Sequence, residues 1–199
     1  NRDGLRQTTI DLMQLVKVLK AGLDVDGDGA SDLSTSRIYY AGQSFGGIYG
    51  VQLLGLEPDI RAGVPNVPGG SIIEIARLSP AFRALVGFSL LTRSPPLYNA
   101  VPNAGLNNFN ENIPLRNQPL AIATPDQLAI QNVIDDTEWA QQAANPAAYA
   151  PFVNHDKTII QFARGDQTVP NPTTSAILRA GHLADRATLY RNDLAFAAN

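Results

Sequence analysis

The stretch Gly42-Gln-Ser-Phe-Gly-Gly47 constrains this chain more than any other. It joins Arg37-Ile-Tyr-Tyr-Ala41, a short β-rich run, to residues 48–56, whose apolar positions follow a helical pattern. A strand that turns into a helix over so few residues brings two backbones close together. Gly42 and Gly46 supply the small residues that such a crossing needs, and Gly47 adds slack. The serine between them is then held in a tight, strained turn, with its hydroxyl above the sheet edge. The bland alternative is a glycine-rich turn that happens to contain a serine.

The rest of the chain repeats this alternation. Residues 5–20 read as an amphipathic helix with Asp3 as its N-cap, and residues 60–64 as a second strand closed by Pro65-Asn-Val-Pro-Gly-Gly70. Residues 157–163 are a near-continuous apolar run suited to the middle of a parallel sheet. A turn at 164–170, a helix at 172–180 and a strand at 186–191 follow. Helix and strand alternating in this way imply an α/β fold with a parallel sheet flanked by helices. Residues 71–156 interrupt the pattern and read as an insertion, with helices at 72–78, 80–91, 127–134 and 137–144. Five Pro and seven Asn between 95 and 120 exclude a long regular element there.

Composition narrows the function classes. A chain of 199 residues, 44% hydrophobic and 17% charged, is one domain with a real core. A net charge of −3 argues against a nucleic-acid partner and against a polybasic membrane surface. No apolar run approaches the ~18 residues of a membrane span. The absence of cysteine excludes disulfides, zinc thiolate sites and a Cys nucleophile.

A second motif carries chemistry. Asp166-Gln-Thr-Val-Pro170 directly follows the strand ending at Ala163, and lies 122 residues after Ser44. Its plain alternative is a surface turn punctuated by proline. Asp135 and Asp136 fall in the insertion, and Asp156 precedes its strand, so all three are poorer candidates for an acid.

Taken together, residues 42–47 and 165–170 resemble the α/β-hydrolase superfamily, and most closely its bacterial secreted lipases and carboxylesterases. The resemblance implies that Ser44 is the nucleophile and that Asp166 orients and stabilises the catalytic imidazole. It also implies that the Phe45 N–H, at the first turn of a helix, helps hold the oxyanion. Residues 71–156 would be a lid or cap whose apolar helices suit an acyl chain or simply cover the core.

The general base is the missing part. A serine hydroxyl needs a base within hydrogen-bond reach, and the family places a His after the final strand. Only His155 and His182 exist, and both precede strands. Nor does a strand or a His-Gly-type loop for a second oxyanion donor precede residue 5. The expectation is therefore a single domain, residues 1–199, cut from a longer chain at both ends, with its catalytic His beyond Asn199.

Asp24, Asp26, Asp28 and Asp32, with Gly29 at the turn, follow the first positions of a calcium loop, although Thr35 stands where an EF-hand has Glu. The loop reads either as a weak structural calcium site or as a solvated acidic turn. No cofactor is expected for catalysis. The sequence thus points to a serine hydrolase acting on small-molecule or lipid carboxylic esters, secreted or in the cell envelope. Its rivals are a peptidase, thioesterase or acyltransferase on the same fold, and a non-catalytic, calcium-stabilised binding domain.

Overall fold

The computed structural model describes residues 2–99, 109 and 126–190. Four strands form one parallel sheet in the order β1 (Tyr39–Gln43), β2 (Ala62–Asn66), β3 (Ile160–Ala163), β4 (Ala187–Tyr190). Helices α1 (Arg2–Ala21) and α2 (Phe45–Leu56) flank β1, and α7 (Asn171–Ala180) connects β3 to β4. Between β2 and β3 lie α3 (Ile72–Leu78), α4 (Arg83–Leu91), α5 (Gln127–Gln141) and α6 (Pro146–Tyr149).

Several boundaries differ from the sequence reading. β1 starts at Tyr39 and continues through Gly42 and Gln43, because the parallel ladder with β2 pairs Gln43 with Asn66. The serine is thus the first residue beyond the ladder. Asp3 is not a cap: α1 already begins at Arg2, and the Asp3 carboxylate accepts from the Arg2 Nε at 2.9 Å. The two short helices expected at 127–134 and 137–144 are one helix, α5, closed by a 3-10 turn at Gln142–Ala144. Most of the proline- and asparagine-rich stretch, and residues 191–199, lie outside the described residues.

The main core lies on one face of the sheet. Val51 of α2, Ile160 of β3, Ile177 of α7 and Leu183 are fully buried together. Ala150 and Val153 join them, so the end of the 71–156 segment belongs to the sheet core and not to a separate layer. The reason is close packing: a Cβ on Gly55 would come 2.8 Å from the Tyr149 carbonyl oxygen. A distinct apolar cluster, Leu90, Leu97, Phe109, Ile130 and Ile134, holds α4 and α5 to each other.

A buried polar chain ties the helices down. Thr9 donates to the Gln52 Oε1 at 3.0 Å, and Gln52 donates to the Ala144 carbonyl at 2.7 Å. The opposite face of the sheet presents Tyr39, Ala41, Gln43, Ile159, Gln161 and Thr188 as exposed side chains. No helix among the described residues is long and apolar enough to cross a membrane.

Candidate active site

Parallel strands send every C-terminal end to one edge, and turns that follow strands gather there. Ser44 follows β1 and has φ 53 and ψ −114, a conformation that side-chain-bearing residues rarely adopt. Its N–H donates to the Asn66 carbonyl at 2.9 Å, and its own carbonyl accepts the first helical bond, from Ile48. The Ser44 side chain caps none of the N–H groups of α2. The positive end of that twelve-residue helix therefore faces the serine, with the Phe45 N–H first in line.

The glycines act differently from the simple motif reading. A Cβ on Gly47 would come 2.6 Å from the Asn66 carbonyl oxygen, so Gly47 gives no slack: it is the contact between α2 and β2. A Cβ on Gly46 would meet nothing nearer than 3.7 Å. Gly42 and Gly50 leave room for the Tyr40 ring, whose hydroxyl donates to the Gly46 carbonyl at 2.5 Å. Burial, with Tyr49 nearby, pushes the Tyr40 phenol up to about 12, so it stays a donor at any ordinary pH. Sequence reasoning missed Tyr40; the spacing Gly42, Gly46, Gly50 on one side of the strand–helix crossing was the available signal.

Asp166 follows β3, at the same edge as Ser44. Its Oδ1 accepts from the Thr168 and Val169 N–H groups at 2.8 and 2.9 Å. Gly165, at φ 72, makes the sharp turn before it. Asn171 clamps that turn: its Oδ1 accepts from the Gly165 N–H at 2.8 Å, and its Nδ2 donates to the Ala163 carbonyl at 2.7 Å. Val169 is buried against Ile48 of α2, which ties the acid turn to the helix that begins at the serine. Asn171 was also missed; an Asn opening a helix after D-x-x-V-P was its trace in the sequence.

Both histidines sit at the other edge. Thr158 pairs with Gly63, and Gly63 with Tyr40, so Ser44 lies four residues further along the strand direction than Thr158. Four residues span about 13 Å, and two strand spacings add about 9 Å sideways, so the separation exceeds roughly 15 Å. His155 lies further back still, far outside the roughly 3 Å reach of a general base. It is held there by Asp185 at 2.8 Å, Asp156 at 3.2 Å and Arg186. The bond to Asp185, reinforced by Asp156, raises its pKa. His182 is exposed, at φ 52, and sits three residues before that Asp185, on the same edge. Neither can serve Ser44.

The acidic loop precedes β1 and is exposed throughout. One carboxylate oxygen from each of Asp24, Asp26 and Asp28 can lie within 4.8 Å of the others. Asp32 stands apart from that group and closes the loop by accepting from the Val25 N–H at 2.6 Å. Asp24 accepts from the Gly29 and Gly27 N–H groups, which hold its carboxyl below the usual range. Gly27 and Gly29 take φ 80 and φ 89, so the turn requires them.

A cavity of about 380 Å³ opens at the Ser44 edge, lined by Gln43, Asn66, Val67, Gln161, Phe162, Ala163 and Thr188.

No protein-family model matches this sequence, and no curated protein does. Among solved structures, the chain is similar to a puromycin-hydrolysing peptidase of Mycobacterium tuberculosis, with 16% identity and a TM-score of 0.51 over 92% of this chain and 21% of that one. It is also similar to an acylaminoacyl peptidase of Pyrococcus horikoshii, with 12% identity and a TM-score of 0.47 over 80% of this chain and 20% of that one. A monoacylglycerol lipase of Paleococcus ferrophilus gives 12% identity and a TM-score of 0.42 over 93% of this chain and 63% of that one. The chain thus spans about a fifth of the two peptidases. At these identities the likeness concerns architecture: the chain has a fold of the α/β-hydrolase type.

Proposed function

We propose that the chain carries the nucleophile, the acid and one oxyanion donor of a serine hydrolase cleaving carboxylic esters. The observation that carries this reading is Ser44 itself, strained at φ 53 between a parallel strand and the uncapped start of α2. Ser44 Oγ attacks the acyl carbon, the Phe45 N–H stabilises the oxyanion, and a base held by Asp166 takes the proton. Water then releases the acid from the acyl-enzyme.

A choice of esters over peptides is supported by α4. Leu85 and Phe88 on that helix are 64% and 52% exposed. The segment leading into it is tied to the acid turn, where Ser79 Oγ donates to the Gln167 carbonyl at 2.8 Å. An apolar helix face beside the acid suits the acyl chain of a small-molecule or lipid ester, the substrate of a protein that is secreted or belongs to the cell envelope. Calcium at Asp24, Asp26 and Asp28 belongs to the same reading as a structural ion: three converging carboxylates suit a hard cation.

One observation favours the alternative, a calcium-stabilised domain of this fold without turnover: both histidines lie at the sheet edge opposite Ser44. Hydrolysis of p-nitrophenyl esters by the protein expressed from its full reading frame separates the two. Turnover that falls at least 1000-fold in Ser44→Ala, with folding intact, supports the hydrolase. Turnover that survives the substitution refutes it, and no turnover at all supports the binding domain.

A further inference from the structure

The start of α2 is poorly made for a helix. Its first six residues, Phe45-Gly-Gly-Ile-Tyr-Gly50, hold three glycines, and each glycine weakens a helix relative to alanine. The Ser44 side chain caps no N–H group of the turn. Left to itself, such a turn frays. Yet it must stay closed, because Ser44 keeps φ 53 only where its surroundings over-determine it.

Two of the constraints come from β2. The Ser44 N–H donates to the Asn66 carbonyl, and Gly47 packs on the same oxygen. The third comes from Tyr40, four residues before the serine. Its hydroxyl donates at 2.5 Å to the carbonyl of Gly46, two residues after the serine. This bond reaches across the elbow from strand to helix, with Ser44 enclosed between its ends. A Cβ on Gly42 would lie 2.5 Å from both the Tyr40 hydroxyl and the Gly46 oxygen, so glycine there leaves the bond its space. The ring behind the hydroxyl packs against the buried cluster of Val16, Ile38, Leu53 and Ile60, which gives the brace a fixed anchor. Burial keeps the phenol protonated, so the bond persists at any ordinary pH.

We propose that Tyr40 is a positioning residue, which closes the first turn of α2 in place of an N-cap and so holds Ser44 and the Phe45 N–H in place for the oxyanion. The inference rests on the reading of Ser44 as a nucleophile. A donor aimed in advance stabilises developing charge without reorganising, whereas a frayed turn must close again each time charge develops. Substrate binding precedes that charge. Loss of the brace therefore lowers kcat and leaves KM nearly unchanged. Complete removal of an oxyanion donor costs about 10²–10³ in kcat, and loosening one costs less, about 10- to 100-fold.

The test uses the protein expressed from its full reading frame. Steady-state hydrolysis of p-nitrophenyl esters is normalised to the serines counted by the endpoint of fluorophosphonate labelling, so that unfolded molecules drop out. Amide hydrogen exchange is read at Ile48, whose N–H closes the first turn onto the Ser44 carbonyl at 2.9 Å. Tyr40→Phe keeps the ring and removes the hydroxyl. The expected result is a kcat lower by about 10- to 100-fold, KM within about twofold, and a pH profile of unchanged shape. Exchange at Ile48 should be about tenfold faster or more, with Ile177 in α7 unaffected. Gly50→Ala is the second variant: its methyl would run into the Tyr40 ring and push the hydroxyl off its carbonyl. It should lose kcat in the same way despite its better helix propensity, and the double variant should lose no more than Tyr40→Phe alone. Unchanged Ile48 exchange in Tyr40→Phe, a loss confined to KM, or a loss that vanishes once the serines are counted overturns the positioning role and leaves Ser44 a nucleophile. Turnover that survives Ser44→Ala, or none in the parent, refutes the nucleophile instead, and the positioning role with it.

Discussion

Two adjacent glycines should respond to alanine with opposite sign. In Gly47→Ala the new methyl would lie 2.6 Å from the Asn66 carbonyl oxygen, 0.8 Å short of the 3.4 Å at which ordinary contact begins. The next neighbours, the Pro68 nitrogen and the Asn66 carbonyl carbon, are also backbone, and Pro68 is fully buried. Nothing flexible can yield, so α2 or the end of β2 must move. Overpacking of this kind costs about 1–3 kcal/mol, against up to about 1 kcal/mol gained from replacing a helical glycine with alanine. The net loss is about 1 kcal/mol, which for a chain of this length lowers Tm by about 2–4 °C. In Gly46→Ala the methyl meets only the Tyr40 and Tyr49 hydroxyls, both at 3.7 Å, and the propensity gain is left unopposed. Its Tm should rise by about 1–2 °C. Thermal unfolding followed by circular dichroism at 222 nm, with urea titration as a check on cooperativity, reads both variants. If Gly47→Ala is as stable as the parent, or Gly46→Ala loses more than Gly47→Ala, the assignment of the close contact to Gly47 is wrong.

Ser44→Gly should raise thermal stability while abolishing fluorophosphonate labelling, because glycine relieves a backbone conformation that costs a serine about 1–3 kcal/mol; an unchanged or lower Tm would show that φ 53 is not a strained state here. The raised pKa of His155 has a definite sign. Its stabilisation is complete below the unfolded value near 6.5 and is lost as pH rises through the higher folded value, so stability should decline across that window and His155→Gln should flatten the decline. A pH–Tm profile identical in parent and variant would remove His155 from the account. Millimolar calcium should raise Tm in a dose-dependent way, and Asp24→Asn should remove most of that rise; equal effects of calcium and magnesium on both proteins would mark the loop as a solvated turn.

The elbow and the acid turn were legible because their chemistry is local. A serine between glycines and an aspartate before Val-Pro each declare a turn in the sequence, and both turns follow a strand in the structure. Their supports were not legible, because those are set by tertiary contact. Tyr40 reads as one more strand aromatic until α2 is laid across it and its hydroxyl finds the Gly46 carbonyl. Gly47 reads as a spare glycine until β2 pairs with β1 and brings the Asn66 oxygen beneath it. The role of the end of the insertion was not legible for the same reason. Ala150 and Val153 carry no marker of the sheet core, and only their packing against α2 and α7 places them in it.

The histidines show how much strand direction alone decides. In a parallel sheet with returning helices, residues that follow strands reach one edge and residues that precede strands reach the other. Ser44 and Asp166 follow β1 and β3, whereas His155 precedes β3 and His182 precedes β4. Strand order was therefore enough to separate them, without any distance, once the sheet was known to be parallel. The cluster of His155, Asp156, Asp185 and Arg186 has its own physical role at that far edge. It joins the turn before β3 to the turn before β4, and its charges satisfy one another in place of a substrate. Among the described residues neither histidine reaches the edge at which Ser44 and Asp166 follow their strands.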